Sequence, residues 1–133
     1  WSLKQLKEYA GHKVDRVLIV DDEEFCISVL LQIFQLIGVD TDLQVDTCAS
    51  GEEALETLQL AYRSNFRYQL ILTDLNMDGI SGIETASLMR AFLTNEMGLE
   101  RGSQPIIIGV TGQAQDNIEA QAILNGMDAV KSK

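Results

Sequence analysis

The chain has 133 residues, enough for one domain with a proper core and too few for two of usual size. A hydrophobic share of 46% marks a folded protein rather than a disordered one, and ten Lys plus Arg against twenty Asp plus Glu leave a net charge of -10. So acidic a surface makes a poor nucleic-acid binder and is repelled by anionic lipid. Most of the acidity serves solubility, and only clustered carboxylates call for another explanation.

Residues 2–10 read as a helix, with Leu3, Leu6 and Ala10 on one face and Gly11 to end it. Residues 1–15 are taken as a helical extension or linker and 16–133 as the domain. A start at Trp1 with no Met suggests a processed or excised piece of a longer protein. The first strand is about Arg16–Val20 and runs into Asp21-Asp22. The first helix of the domain spans about Glu23–Ile37, with Ile27, Leu30, Leu31 and Phe34 on one side and Gly38 as its stop. A second strand lies near Leu43–Cys48. Ser50 with Glu53 three residues on forms a capping-box pattern for the next helix. The third strand is Gln69–Thr73, ending at Asp74. A helix from about Gly82 carries Ile83, Ala86, Met89 and Leu93, and Thr94–Gln104 is read as a long loop. The fourth strand, Pro105–Val110, ends at Thr111. The fourth helix spans about Gln113–Asn125 with Gly126 after it, and a short fifth strand, Ala129–Val130, leads to Lys133.

Cys26 and Cys48 have no metal-ligand spacing. Both read as small core residues in a reduced, cytoplasmic setting. No run reaches the length of a membrane span, and no signal peptide is visible.

Strands alternating with helices imply a parallel sheet with helices on both faces, a doubly wound α/β fold. The strands before Asp21, Asp74 and Thr111 are continuously apolar, as for central strands buried on both sides. The second strand alternates Leu43, Val45 and Thr47 against Gln44 and Asp46, which suits an edge. The flavodoxin-like order 2-1-3-4-5 satisfies both and puts its topological switch between strands 1 and 3. Sites in such sheets form outside the carboxyl ends of the strands. One rim then gathers Asp21, Asp22, Asp74, Thr111 and Lys133.

That collection suits a divalent metal and a phosphoryl group. Mg²⁺ takes oxygen ligands and keeps several waters, so Asp22 and Asp74 are natural direct ligands, with Asp21 direct or acting through water. Asp74 follows a central strand and is the best-placed nucleophile, since a carboxylate can accept a phosphoryl group as an acyl phosphate. Mg²⁺, Lys133 and Thr111 can together neutralise the transition-state oxygens. Singly each residue has a plainer reading: Asp22 as a helix cap, Asp74 and Asn76 as turn formers, Thr111 as an N-cap, Lys133 as a solvated chain end. Four independent strand ends delivering complementary chemistry make the joint plain reading a poor one.

The segments Val17–Asp22 (VLIVDD), Leu70–Gly82 (LILTDLNMDGISG), Pro105–Thr111 (PIIIGVT) and Gly126–Lys133 (GMDAVKSK) resemble the receiver domain of response regulators and hybrid histidine kinases, over about residues 15–133. The resemblance implies that Asp74 is the phosphoacceptor, that Asp21 and Asp22 bind Mg²⁺, and that the backbone carbonyl of Asn76 is a further Mg²⁺ contact. It implies that Thr111 and Lys133 contact the phosphoryl group. Lys133 fits the family spacing after Gly126-Met127-Asp128, while Lys131, earlier in the strand, is expected to point away.

Four features depart from the family pattern. Asp78 stands where proline is usual, Gly112 where a small Ala is usual, and Val130 where an aromatic side chain is usual. The chain also stops at Lys133, before the family's final helix. Without that helix, apolar side chains from strands 1, 2 and 5 are expected to be exposed and open to self-association, with residues 2–10 able to cover part of the face. The expected function is a phosphoacceptor fed by a histidine kinase or a histidine phosphotransfer domain, with a switching surface on the fourth helix. It would catalyse only its own phosphorylation and dephosphorylation, and touch neither nucleic acid nor membrane. The alternative is a pseudo-receiver, the same fold used as an unphosphorylated interaction module.

Overall fold

The structure, a computed structural model, describes residues 16–112 and 116–133. The helix expected at 2–10, its suggested packing, and the start of the fourth helix at 113 lie outside the described residues. A five-stranded sheet runs in the order 2-1-3-4-5. Its strands are β1 (Val17–Val20), β2 (Val45–Cys48), β3 (Leu70–Asp74), β4 (Ile106–Thr111) and β5 (Ala129–Ser132), and every neighbouring pair is parallel. Among the described residues the α-helices are α1 (Glu24–Leu36), α2 (Thr41–Gln44), α3 (Gly51–Arg63), α4 (Gly82–Ala91) and α5 (Asp116–Leu124). None is long and apolar enough to cross a membrane.

Alternating strand residues feed two cores. Leu18, Val20, Ile71 and Ile107 pack with Leu58 of α3, Met89 of α4 and Ala122 of α5. Val17, Ile19, Leu70, Leu72, Ile108 and Val110 face the other way, against Phe34 of α1 and the half-buried Ile27, Leu30 and Leu31. Strands β1 and β3 are buried throughout, as their unbroken apolar runs require.

Two local expectations are corrected. The second strand begins at Val45, not Leu43, because residues 41–44 form a helical turn. Asp40 Oδ1 caps that turn by accepting from the Asp42 and Leu43 amides, while Gln44 Oε1 accepts from the Asp40 amide at 2.9 Å. These short-range bonds outcompete the strand, and Leu43 and Thr47 both end up exposed. The stretch 94–104 is not a plain loop either. The helix continues from α4 through a π-turn at Phe92–Glu96, because Phe92 and Leu93 remain buried, and a 3-10 turn follows at Arg101–Ser103.

The exposure expected on strands 1, 2 and 5 takes a different form. All of β1 is buried, Ala129 packs on one core and Val130 on the other. Exposed apolar side chains among the described residues include two on α1, Phe25 at 76% and Val29 at 38%. With Leu30, Ile33 and Val110 they line an apolar groove that ends at Asp21 and Lys133.

Candidate functional site

The carboxyl ends of β1, β3, β4 and β5 form one rim. Asp21 is the first residue past β1, and its amide donates to the Cys48 carbonyl at 3.0 Å, extending the ladder with β2 by one rung. Its Oδ1 accepts from the Glu23 amide at 2.9 Å, which turns the chain into α1 and fixes the carboxylate over the sheet edge. Asp74 ends β3 in register with Val110, and its Oδ1 accepts from the Asn76 amide at 3.3 Å. Asp22 is exposed beside them and its Oδ2 accepts from the Asp78 amide at 3.4 Å. Oxygens of Asp21, Asp22 and Asp74 lie within 4.8 Å of one another.

Lys133 arrives from 59 residues beyond Asp74. Its amide donates to the Thr111 carbonyl at 2.8 Å, and its Nζ lies 3.4 Å from both Asp21 Oδ2 and Asp74 Oδ2. Strand alternation is not what distinguishes it from Lys131, since residues two apart share a face. Lys131 is paired in register with Val110, inside β5, whereas Lys133 lies past the strand's last residue, on the rim. Thr111 is buried at the end of β4, one residue beyond the register partner of Asp74. Asn76 is exposed in the turn after β3.

The charges are unbalanced. Asp21 and Asp74 are almost fully buried and share the one Lys133 ammonium, with Asp22 adding a third negative charge. Burial raises the Asp74 carboxyl above its usual range and Asp21 adds to this, more than the Asn76 amide and Lys133 take back. Burial works against the Lys133 ammonium, but Asp21 and Asp74 outweigh it and hold its proton more tightly than in a free lysine. Three hard oxygen donors with surplus negative charge fit a small divalent cation such as Mg²⁺ better than any soft metal.

Two neighbours of the site carry no obvious sequence signal. Cys26, expected in the core, is half-buried on the α1 face next to the site, with its Sγ 3.7 Å from Lys133 Nζ. It lies one step round the helix from the Ile27–Leu30–Leu31 stripe, and burial raises its thiol pKa. Glu52 in the first turn of α3 reaches the turn after Asp74, accepting from the Ile80 amide at 2.9 Å. The one hint is Gly79, which supplies a positive φ in that turn.

Of the departures from the expected pattern, Gly112 leaves open space, since a Cβ there would meet nothing within 4 Å among the described residues. Val130 packs against the core shared with α3, α4 and α5. Asp78 supplies an amide donor that a proline would lack.

Comparison with known proteins gives a consistent result. The sequence profile of the response regulator receiver domain matches residues 17–133. A curated relative, the transcription factor SKN7 of Candida albicans, is 26% identical over 117 residues. That match covers 88% of this chain but only 18% of SKN7. Among solved structures, the receiver domain of the Arabidopsis thaliana histidine kinase CKI1, complexed with Mg²⁺ and BeF3⁻, superposes with a TM-score of 0.77 at 27% identity. The match covers 89% of this chain and 80% of that one. The receiver domain of Saccharomyces cerevisiae Ssk1, crystallised with the histidine phosphotransfer protein Ypd1, shares the fold with a TM-score of 0.70 at 22% identity, covering 89% of this chain and 77% of that one.

Proposed function

This chain belongs to the response regulator receiver domain family, and from that premise we propose that it accepts a phosphoryl group on Asp74 from a phosphohistidine. The observation that carries the reading is the pair of buried carboxylates, Asp21 and Asp74, sharing a single ammonium at 3.4 Å. In the transfer, the P–N bond to the donor imidazole breaks as a P–O bond to an Asp74 carboxylate oxygen forms, giving an acyl phosphate. Mg²⁺ held by Asp21, Asp22, Asp74 and the Asn76 carbonyl would neutralise the phosphoryl oxygens. Lys133 is already placed to follow the charge from the carboxylate to the phosphoryl group. The Thr111 hydroxyl supplies a hydrogen bond from the end of β4 and draws the following segment, and α5 with it, towards the phosphoryl group. Val130 makes no aromatic contribution to that switch, and the open space beside Gly112 leaves the acyl phosphate accessible to water.

The donor class is a histidine kinase or histidine phosphotransfer domain, by analogy with the pairing of Ssk1 and Ypd1. The domain turns over no external substrate, and its free thiols, Cys26 and Cys48, suit a reducing cytoplasm. The test is incubation with a small-molecule phosphodonor and Mg²⁺, read by intact mass. One phosphoryl mass on the wild type, absent from Asp74→Asn and from protein in EDTA, is expected. No gain on the wild type would leave the fold as an unphosphorylated interaction module instead.

A further inference from the structure

The turn that follows Asp74 is held from outside by a carboxylate that belongs to neither the acid cluster nor the phosphoryl site. Leu75–Gly82 closes on itself through the Gly82 amide, which donates to the Leu75 carbonyl at 3.0 Å. Within the ring, Glu52 Oε1 accepts from the Ile80 amide at 2.9 Å. Gly79 has φ +80°, and a Cβ there would come within 2.6 Å of both Glu52 carboxylate oxygens. The carboxylate therefore lies flat against the turn in a space that only a glycine leaves open.

Glu52 is free to do this because another residue already caps its helix. Glu53 completes the cap of α3, its amide donating to Ser50 Oγ at 3.1 Å and its Oε2 accepting from the Ala49 amide at 3.0 Å. The N-terminus of α3 is also pressed onto the turn. A Cβ at Gly51 would sit 2.1 Å from Thr85 Oγ1 and 2.6 Å from Ile80 Cγ1. On its other side the turn is tied to the acid cluster by the Asp78 amide on Asp22 Oδ2. The ring thus hangs between two carboxylates, one in the cluster and one on α3, with Asn76 at its near end.

We propose that Glu52 is a positioning residue for the metal centre. By holding the Asn76–Ser81 turn, it fixes where Asn76 and Asp78 stand relative to Asp21, Asp22 and Asp74 before any cation arrives. The role rests on the Mg²⁺ reading given above and adds an outer support to it. Such supports typically carry about tenfold or more of a site's metal affinity.

Two measurements test it, on the intact chain. Amide hydrogen exchange is followed by NMR in EDTA, and Mg²⁺ affinity by calorimetric titration, for wild type, Glu52→Ala and Glu52→Gln. Glu52→Ala should speed exchange of the Ile80 amide at least about tenfold and weaken Mg²⁺ binding by about tenfold. Glu52→Gln keeps an acceptor oxygen while losing the charge, and should hold both values close to wild type. Three outcomes overturn the proposal. Exchange at Ile80 unchanged in Glu52→Ala removes the clamp. Faster exchange with unaltered Mg²⁺ affinity makes it a purely structural contact. Equal weakening in Glu52→Gln and Glu52→Ala makes it an effect of net charge. A wild type that binds no Mg²⁺ would instead overturn the metal reading itself, along with the role assigned here. That failure shows in the wild type, whereas the other three show only in the variants.

Discussion

Replacing Asp74 by Asn should make the metal-free protein more stable while abolishing its proposed activity. Lys133 Nζ lies 3.4 Å from Asp74 Oδ2, an attraction of about 5 kcal/mol at an effective dielectric of about 20. Asp21 and Asp22 present oxygens within 4.8 Å of Asp74, so on the same footing each repels it by at least roughly 3.5 kcal/mol. Repulsion therefore exceeds attraction by about 2 kcal/mol, which solvent screening of the exposed Asp22 reduces to about 1 kcal/mol. The burial of Asp74 acts in the same direction. The Asn side chain keeps the shape and leaves Asp21 and Lys133 as a balanced pair. For a domain of this size the gain corresponds to a rise in Tm of roughly 4 °C.

Thermal melts followed by circular dichroism in EDTA provide the measurement, and its pH dependence provides a second check. Burial first, then Asp21, raises the folded-state pKa of Asp74 above its unfolded value. The folded wild type therefore retains a proton that the unfolded chain has released, and its stability falls as pH rises from the unfolded to the folded value. The advantage of Asn should be absent below the unfolded carboxylate range and grow as pH rises through the raised folded-state value. A variant that melts at or below the wild-type temperature in EDTA at neutral pH would refute the charge-imbalance argument. A gap independent of pH would refute the assignment of that imbalance to Asp74.

Mg²⁺ should raise the Tm of the wild type because it binds only the native cluster, and Asp22→Ala should abolish that response. Asp46→Ala should leave the response intact while lowering stability by about 1–2 kcal/mol, since Asp46 bonds Arg16 and the Tyr68 hydroxyl rather than the cluster. Arg90→Ala should cost about 3 kcal/mol in a denaturant titration. The guanidinium is nearly buried, bonds the Gly126 and Pro105 carbonyls, Gln104 and Asp128, and has its pKa pulled down to about 10 by burial. Its Mg²⁺ response should survive, because this network lies at the opposite end of the strands. Gly82→Ala would place a Cβ 2.1 Å from the Asp74 carbonyl oxygen, so a loss of about 2 kcal/mol or more is expected, together with weaker Mg²⁺ binding as the backbone of Asp74 shifts. An unchanged Mg²⁺ affinity in that variant would show that the close approach can relax without disturbing the site.

The sequence alone determined the order of the elements, the parallel sheet and the gathering of Asp21, Asp22, Asp74, Thr111 and Lys133 on one rim. Those features follow from periodicity and from where apolar runs stop, which are local properties. It also identified Ser50 with Glu53 as a cap, a bond spanning three residues. What the sequence could not settle depends on pairs far apart along the chain or on competition between local bonds. Leu43 belongs to a strand by alternation and to a helical turn once Asp40 and Gln44 close on each other. The helix that buries Phe92 and Leu93 runs on through a π-turn to Glu96, three residues into the expected loop. Cys26 meets Lys133 across 107 residues, Arg90 meets Gly126 across 36, and Glu52 meets Ile80 across 28. None of these contacts leaves a periodic trace, because each depends on how the strand ends and helices stack once the sheet has formed. Tertiary structure therefore decided which thiol lies beside Lys133, and which carboxylate supports the turn that follows Asp74.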